Sequence, residues 1–238
     1  MIRLPAADIQ IGDHVTRKFF GLTFNVDTIW STLIAAAIVL VLGLWVRRRL
    51  THGVPGKLQL FFETVAAAVQ KQVHDSIGVD VVPAAVPLAM ALFLFILVAN
   101  WIGQLPFGDT PNYIPPPTAD TNLTYALAFT VVFWVHAAAI RRRGFFPYVK
   151  SFFKPLWLSP IKIIEEIAKP ITLALRLFGN IFSGGIMLAL IGIMPVFILW
   201  APNLIWKVFD SAIGVIQAFI FALLTILYFS FAVSEQGH

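Results

Sequence analysis

Runs of about 20 apolar residues recur along this chain, and each is long enough to cross a hydrocarbon layer roughly 30 Å thick. Of the 238 residues, 59% are hydrophobic and 12% are charged. A domain of this size with a water-facing exterior needs a far more polar composition. The bilayer is therefore the solvent, and helices, which satisfy their own backbone groups, are the expected spanning elements. The chain has no cysteine, which excludes disulfides, thiolate metal sites and a cysteine nucleophile. Its net charge of +5 does not point to nucleic acid, because the basic residues cluster at the ends of the apolar runs. Met1 to Phe20 is polar and mixed, with Asp8 and Asp13 inside it. It has the pattern of neither a cleavable signal nor a transit peptide. Insertion into a bacterial plasma membrane through the first span is expected.

The first run, Ile29 to Val46, ends at Arg47, Arg48 and Arg49, a cytoplasmic stop that leaves residues 1–28 outside. In residues 53–80 the apolar positions Leu58, Phe61, Phe62, Val65 and Val69 recur at helical spacing opposite Glu63, Gln70 and Lys71. This predicts an amphipathic helix on the cytoplasmic surface. A second span covers 82–105, and the Pro-rich stretch Pro111 to Pro117 makes an external loop. The third, 122–140, ends at a second triplet, Arg141, Arg142 and Arg143, with Lys150 and Lys154 beyond it. Two longer segments follow, 161–194 with Pro170 inside it and 203–233, with Pro195 and Trp200 to Asn203 supplying the break. A helix over 161–194 would be roughly 50 Å long, against the roughly 30 Å of a perpendicular crossing. Steep tilt, beyond the ordinary 20° or so, or a protruding end is required. Five crossings put the C-terminus, Ser234 to His238, in the cytoplasm.

Arg176 is the leading functional candidate. It lies in an apolar stretch whose nearest other cations are Lys169 and Lys207. An arginine near the bilayer midplane costs at least about 2.5–3.5 kcal/mol, and several turns separate it from an interface it might snorkel to. Either it makes a structural ion pair with Glu165, Glu166 or Asp210, or it is a fixed charge that meets a mobile carboxylate on a partner. Arginine suits the second role because it stays protonated. It attracts a carboxylate, displaces its proton, and repels hydronium. Asn180 and Ser183, at i+4 and i+7, extend the same helix face. Gly179, Gly184 and Gly185 permit close approach, which ordinary helix packing explains as well as function does.

Asp210 and Gln217, seven apart, share a face of the last helix. Asp210 is a proton carrier in hydrocarbon, unless it pairs with Lys207 at i−3. Thr225 and Ser230 are expected to bond the helix backbone. Glu165 and Glu166 either line an exit path or are solvated charges at a helix start, and the mixed case, one lining and one solvated, is expected. Asp120 opens the third span, where capping is a strong alternative to a channel role. His136 either relays protons or is a satisfied histidine between helices. Asn100 and Gln104 read as inter-helix hydrogen bonds. No phosphate-binding GxxxxGK[ST] loop, metal-ligand spacing, paired haem histidines or nucleophile elbow is present in the sequence, so no cofactor or metal is expected.

The run Ile167-Ala168-Lys169-Pro170-Ile171-Thr172-Leu173-Ala174-Leu175-Arg176-Leu177-Phe178-Gly179-Asn180 closely resembles subunit a of F-type ATP synthases. Gln217-Ala218-Phe219-Ile220-Phe221, Thr118 to Thr124 and Asn100 to Pro106 are also similar to that family. The resemblance implies an all-α membrane protein of five transmembrane helices plus an amphipathic surface helix, the last two spans forming a long tilted hairpin against a ring of c subunits. It implies b subunits and the other Fo and F1 subunits as partners. Arg176 matches the family's essential arginine, with Asn180 and Gln217 at polar positions beside it. Some members carry Glu at the position of Gly185 and His at that of Asp210, so Asp210 is expected to replace that pair.

These readings predict a non-catalytic stator subunit with two offset half-channels. Protons enter past Asp210, Gln217 and the region of Asp120, neutralise a ring carboxylate, and leave near Glu165, with Arg176 between the paths. One charge falling through about 100 mV releases roughly 2.3 kcal/mol, so several such steps are needed per ATP. The alternative is a self-contained secondary transporter with Arg176 as substrate counter-ion. That would predict inverted repeats and matched broken helices, and neither is visible in the sequence. A purely structural scaffold gives no reason for an isolated midplane arginine.

Overall fold

The computed structural model describes residues 16–19, 22–49, 56–77, 85–104, 116–153 and 156–234. Most of the Pro-rich loop, the first 15 residues and the last four lie outside the described residues. The chain begins with an antiparallel hairpin, β1 (Thr16–Phe19) and β2 (Leu22–Asn25), with Thr16 opposite Asn25. Among the described residues seven α-helices follow: α1 (Val26–Arg49), α2 (Lys57–Ile77), α3 (Ala85–Ile102), α4 (Thr121–Arg143), α5 (Phe145–Phe152), α6 (Ser159–Gly192) and α7 (Val196–Ser234). Short 3-10 turns at Pro117–Ala119 and Leu156–Leu158 precede α4 and α6. Five of the helices, α1, α3, α4, α6 and α7, are long and apolar enough to cross a membrane. The protein is thus an all-α membrane protein with one small hairpin at its edge.

The core forms where α3, α4, α6 and α7 meet. Ile96 of α3, Val131 of α4, Leu173 and Leu177 of α6 and Phe221 of α7 are fully buried there. Ala128, Ala174, Ala218 and Ala222 keep the backbones close. In lipid no hydrophobic force drives helices together, so such small residues and van der Waals packing carry the association. α1 is peripheral. It meets α3 through Ala35, Ala99 and Ile102 and leaves Leu40, Val41 and Leu44 exposed, as a lipid-facing helix should. α2 is amphipathic as its spacing predicts. Val69 is buried, with Phe62 and Val65 packed beside it, while Glu63, Gln70 and Lys71 are exposed.

Three local features differ from the expectations. The hairpin lies in the expected external N-terminus, for which the sequence indicates no element; four-residue strands carry too little alternation to be read from it. α5 is a separate element set off by Gly144, whose φ of +82° turns the chain out of α4 while its N–H bonds the carbonyl of Ile140. The break between the two long helices is confined to residues 193–195, and Trp200 to Asn203, expected to lie in it, are helical. The Pro195 carbonyl accepts from Ile198 N (2.9 Å) and Leu199 N (3.1 Å), which starts α7 at once. Pro202 then costs a single early backbone bond, to the carbonyl of Ile198. α6 has 34 residues and α7 has 39, giving lengths of about 51 and 58 Å.

Candidate functional site

The buried stripe of α6, Leu173, Ala174 and Leu177, fixes which way the rest of the helix points. Arg176 falls off that stripe and is exposed, as is Leu175. Among the described residues no acidic side chain pairs with Arg176. The candidate acids are engaged elsewhere. Glu166 and Glu165 lie 2.7 and 3.7 Å from the ammonium of Lys169, and Asp210 accepts from Gln104 Nε2 at 3.2 Å. Ser183, also exposed, donates to the carbonyl of Asn180 at 2.9 Å, so its hydroxyl serves its own helix.

On the C-terminal side of Arg176, α6 meets α3 and α7 around a cavity of about 120 Å³. Asp210, Gln104, Asn100, Asn180, Gly184 and Gly214 line it. The glycines have a specific role. A β-carbon on Gly184 would stand 3.1 Å from Asp210 Oδ1, and one on Gly214 would stand 3.4 Å from Asn100 Cβ. Each glycine therefore makes room for a polar side chain. Asn100 donates to the Gly214 carbonyl (3.3 Å) and accepts from Thr118 Oγ1 (2.8 Å). The Ser211 hydroxyl is placed between Gln104 Oε1 and the Lys207 carbonyl. A void of this size, with Asp210, Gln104, Asn100 and Asn180 on its walls, has room for a few waters.

Asp120 is not among the residues lining that cavity. It is 4% exposed and caps α4, with Oδ1 accepting from Asn122 N at 2.8 Å. Its Oδ2 accepts from Asn25 Nδ2 (2.7 Å) and Thr28 Oγ1 (2.9 Å), which ties the hairpin and α1 to α4. Gln217 is buried at 7% exposure, and its Nε2 has no hydrogen-bond partner among the described residues. Thr225 bonds the Phe221 carbonyl at 2.9 Å, as expected, whereas Ser230 Oγ lacks a partner among the described residues.

On the N-terminal side of Arg176 the polar groups converge again. His136 of α4 shares a 2.6 Å hydrogen bond with the Tyr148 hydroxyl through Nδ1, and its Nε2 lies 3.4 Å from Glu166. Lys169 completes the cluster, 2.7 Å from Glu166 and 5.6 Å from the centre of the Tyr228 ring. Pro170 adds to it, because with no N–H it leaves the Glu166 carbonyl without its helical donor. A cavity of about 270 Å³ opens here, lined by Glu165, Glu166, Lys169, Lys162 and Tyr148 among others. Glu165 is the more exposed member of the pair, with its side chain 66% exposed. The two cavities thus reach α6 at Lys169 and at Asn180, about 16 Å apart along the axis. Arg176 stands between them.

Gln104, Lys169 and Tyr148 belong to these clusters although sequence reasoning gave them no functional role. For Gln104 a signal existed: it follows Asn100 by four residues and so shares its face. Tyr148 had none, since α5 itself was not foreseen. Among the described residues no three of His, Asp and Glu converge as a metal site.

A model of the family described as ATP synthase A chain matches residues 29–230. ATP synthase subunit a of Acidothermus cellulolyticus is 51% identical over 234 residues, covering 98% of this chain and 86% of that protein. The subunit a of Mycobacterium marinum is 49% identical over 243 residues, covering 98% and 97%. That of Bacillus pumilus is 35% identical over 239 residues, covering 93% and 97%.

Proposed function

The chain belongs to the ATP synthase A chain family, and from that premise we propose that it is the stator half of a proton turbine, with two offset half-channels that meet a rotating ring of c subunits. It is a multi-pass membrane subunit in the Fo sector of an ATP synthase. The placement of its N-terminus outside and its C-terminus in the cytoplasm rests on the two arginine triplets. It carries no step of ATP chemistry itself. The ring, the b subunits and the remaining Fo and F1 subunits are its protein partners.

Protons enter through the cavity at Asp210. The carboxylate takes a proton from the outer aqueous side and passes it by way of water and Asn180 to the ring. Asp120 frames that entrance by holding α1 to α4, and Gln217 sits deeper on the Asp210 face. A neutralised ring carboxylate can then turn into lipid, where a charged one would be costly. After most of a revolution the proton leaves through the cavity at Glu165 and Glu166, with His136 as an auxiliary relay. Arg176 keeps the returning carboxylate ionised and repels hydronium from the gap between the cavities. Ser183 continues the polar face toward the ring.

The observation that carries this reading is an exposed arginine, free of any acidic partner among the described residues, set between two polar cavities on one helix. Buried ion pairs are the usual way to hold a cation in a bilayer. Here the acid that Arg176 needs is left for another polypeptide to supply. Single cysteines placed at 165, 169, 180 and 188 test the two paths, because the chain has no native thiol. Positions 180 and 188 should react with a membrane-impermeant thiol reagent from one side and positions 165 and 169 from the other. Reaction of all four from a single side would contradict two separate half-channels.

A further inference from the structure

We propose that α5 and the 3-10 turn Leu156–Leu158 lie in the headgroup layer and hold an anionic phospholipid. From Thr121 to Ile164 the sequence has no acidic residue, yet it carries Arg141, Arg142, Arg143, Lys150, Lys154 and Lys162. Gly144 redirects the chain where α4 ends, so α5 departs from the line of the spanning helix. One face of α5 is spent on the protein: Tyr148 bonds His136, and the Ser151 carbonyl receives Lys162 at 3.3 Å. The rest of α5 is open, with Phe145, Phe146 and Val149 exposed on it. Phe146 is 84% exposed, and Trp157, just beyond α5, is 76% exposed. Phe146 and Lys150, four residues apart, share a face.

Arg141, Arg142 and Lys150 are exposed, and among the described residues no acid pairs with them. The surface therefore offers aromatic area and cationic groups side by side. A soluble anion would satisfy the charges and leave Phe146 and Trp157 in water. A zwitterionic lipid would bring its own ammonium group against the cations. A phospholipid of net negative charge satisfies both features: acyl chains on the aromatic rings, and the phosphate on the guanidinium fork and Lys150. Orientation by positive charge accounts for the arginines, but it asks for no outward aromatic helix beside them. This inference stands apart from the two half-channels.

The test uses the whole ATP synthase complex in nanodiscs of equal phosphatidylglycerol and phosphatidylcholine, with trace spin-labelled lipid of either kind. The motionally restricted fraction of each label is compared between wild type and an Arg142→Gln/Lys150→Gln variant. Arg141 and Arg143 are kept so that orientation is preserved. Wild type should restrict phosphatidylglycerol at least threefold over phosphatidylcholine, with much of that preference lost in the variant. Phe146→Ser should lower the restricted amount. An equal preference in wild type and variant, or none in wild type, overturns the proposal. If the double variant does not assemble, Lys150→Gln alone decides by the same comparison.

Discussion

Asp210 of α7 sits so close to Gly184 of α6 that a β-carbon on the glycine would stand 3.1 Å from its Oδ1. The same carboxylate accepts from Gln104 at 3.2 Å, so yielding to a β-carbon would disturb that bond. Gly184→Ala should strain this junction by about 1–3 kcal/mol. Proton flow through Fo in vesicles stripped of F1 should fall on the order of tenfold, the equivalent of about 1.4 kcal/mol. Gly43→Ala is the control, since a β-carbon at Gly43 meets nothing within 4 Å. Equal flow in both variants would show that the Asp210 junction does not limit conduction.

Asp210→Asn keeps a group that can bond Gln104 but cannot carry a proton. ATP-driven proton pumping should drop by at least about tenfold, in line with the usual contribution of a positioned proton-transfer group. Complex assembly, read on a native gel, should be unchanged. Pumping at the wild-type rate would remove Asp210 from the entry path.

Asp120 makes the opposite prediction. Its two oxygens accept from Asn25, Thr28 and Asn122, which makes it a clamp between α1 and α4. Asp120→Ala loses a cap and strands buried donors, at a cost of about 1–3 kcal/mol. The yield of assembled complex and its thermal stability should fall, while the pumping rate per assembled complex stays near wild type. A normal yield with a lost rate would make Asp120 a conducting group.

How much of this was legible in the sequence depends on separation along the chain. The spans, the arginine triplets and the isolated Arg176 are local patterns, and periodicity and composition reveal them. The Asp210 partner is not local. Lys207 at i−3 was the visible candidate, yet Gln104, 106 positions away, makes the bond, because α3 rather than the next turn of α7 borders the cavity. His136 and Glu166 meet across α4 and α6 for the same reason. Pro195 and Pro202 lie so near each other that in sequence they read as one long interruption before α7. The helix continues through Pro202 at the loss of one backbone bond, the donor to the Ile198 carbonyl.

At the other end of α6, the sequence leads one to expect one of Glu165 and Glu166 on the exit path and one solvated, with the exit near Glu165, whereas in the structure Glu166 is the acid within the polar cluster. Glu166 pairs with Lys169 at 2.7 Å and faces His136, whereas the Glu165 side chain is 66% exposed. Glu166→Gln should slow proton flow by about tenfold. Glu165→Gln should stay within about twofold, because exposed ion pairs contribute little. The ratio of the two rates in F1-stripped vesicles is the readout, and an inverted ratio would place the exit on the solvated acid.

The central claim is that Arg176 is a fixed charge awaiting an acid on the rotor. Its most direct measurement is ATP synthesis by complexes carrying Arg176→Ala in vesicles under an imposed proton gradient. The account predicts a normally assembled complex whose synthesis falls to background, because nothing separates the two paths or keeps the ring carboxylate ionised. Synthesis at the wild-type rate would contradict it.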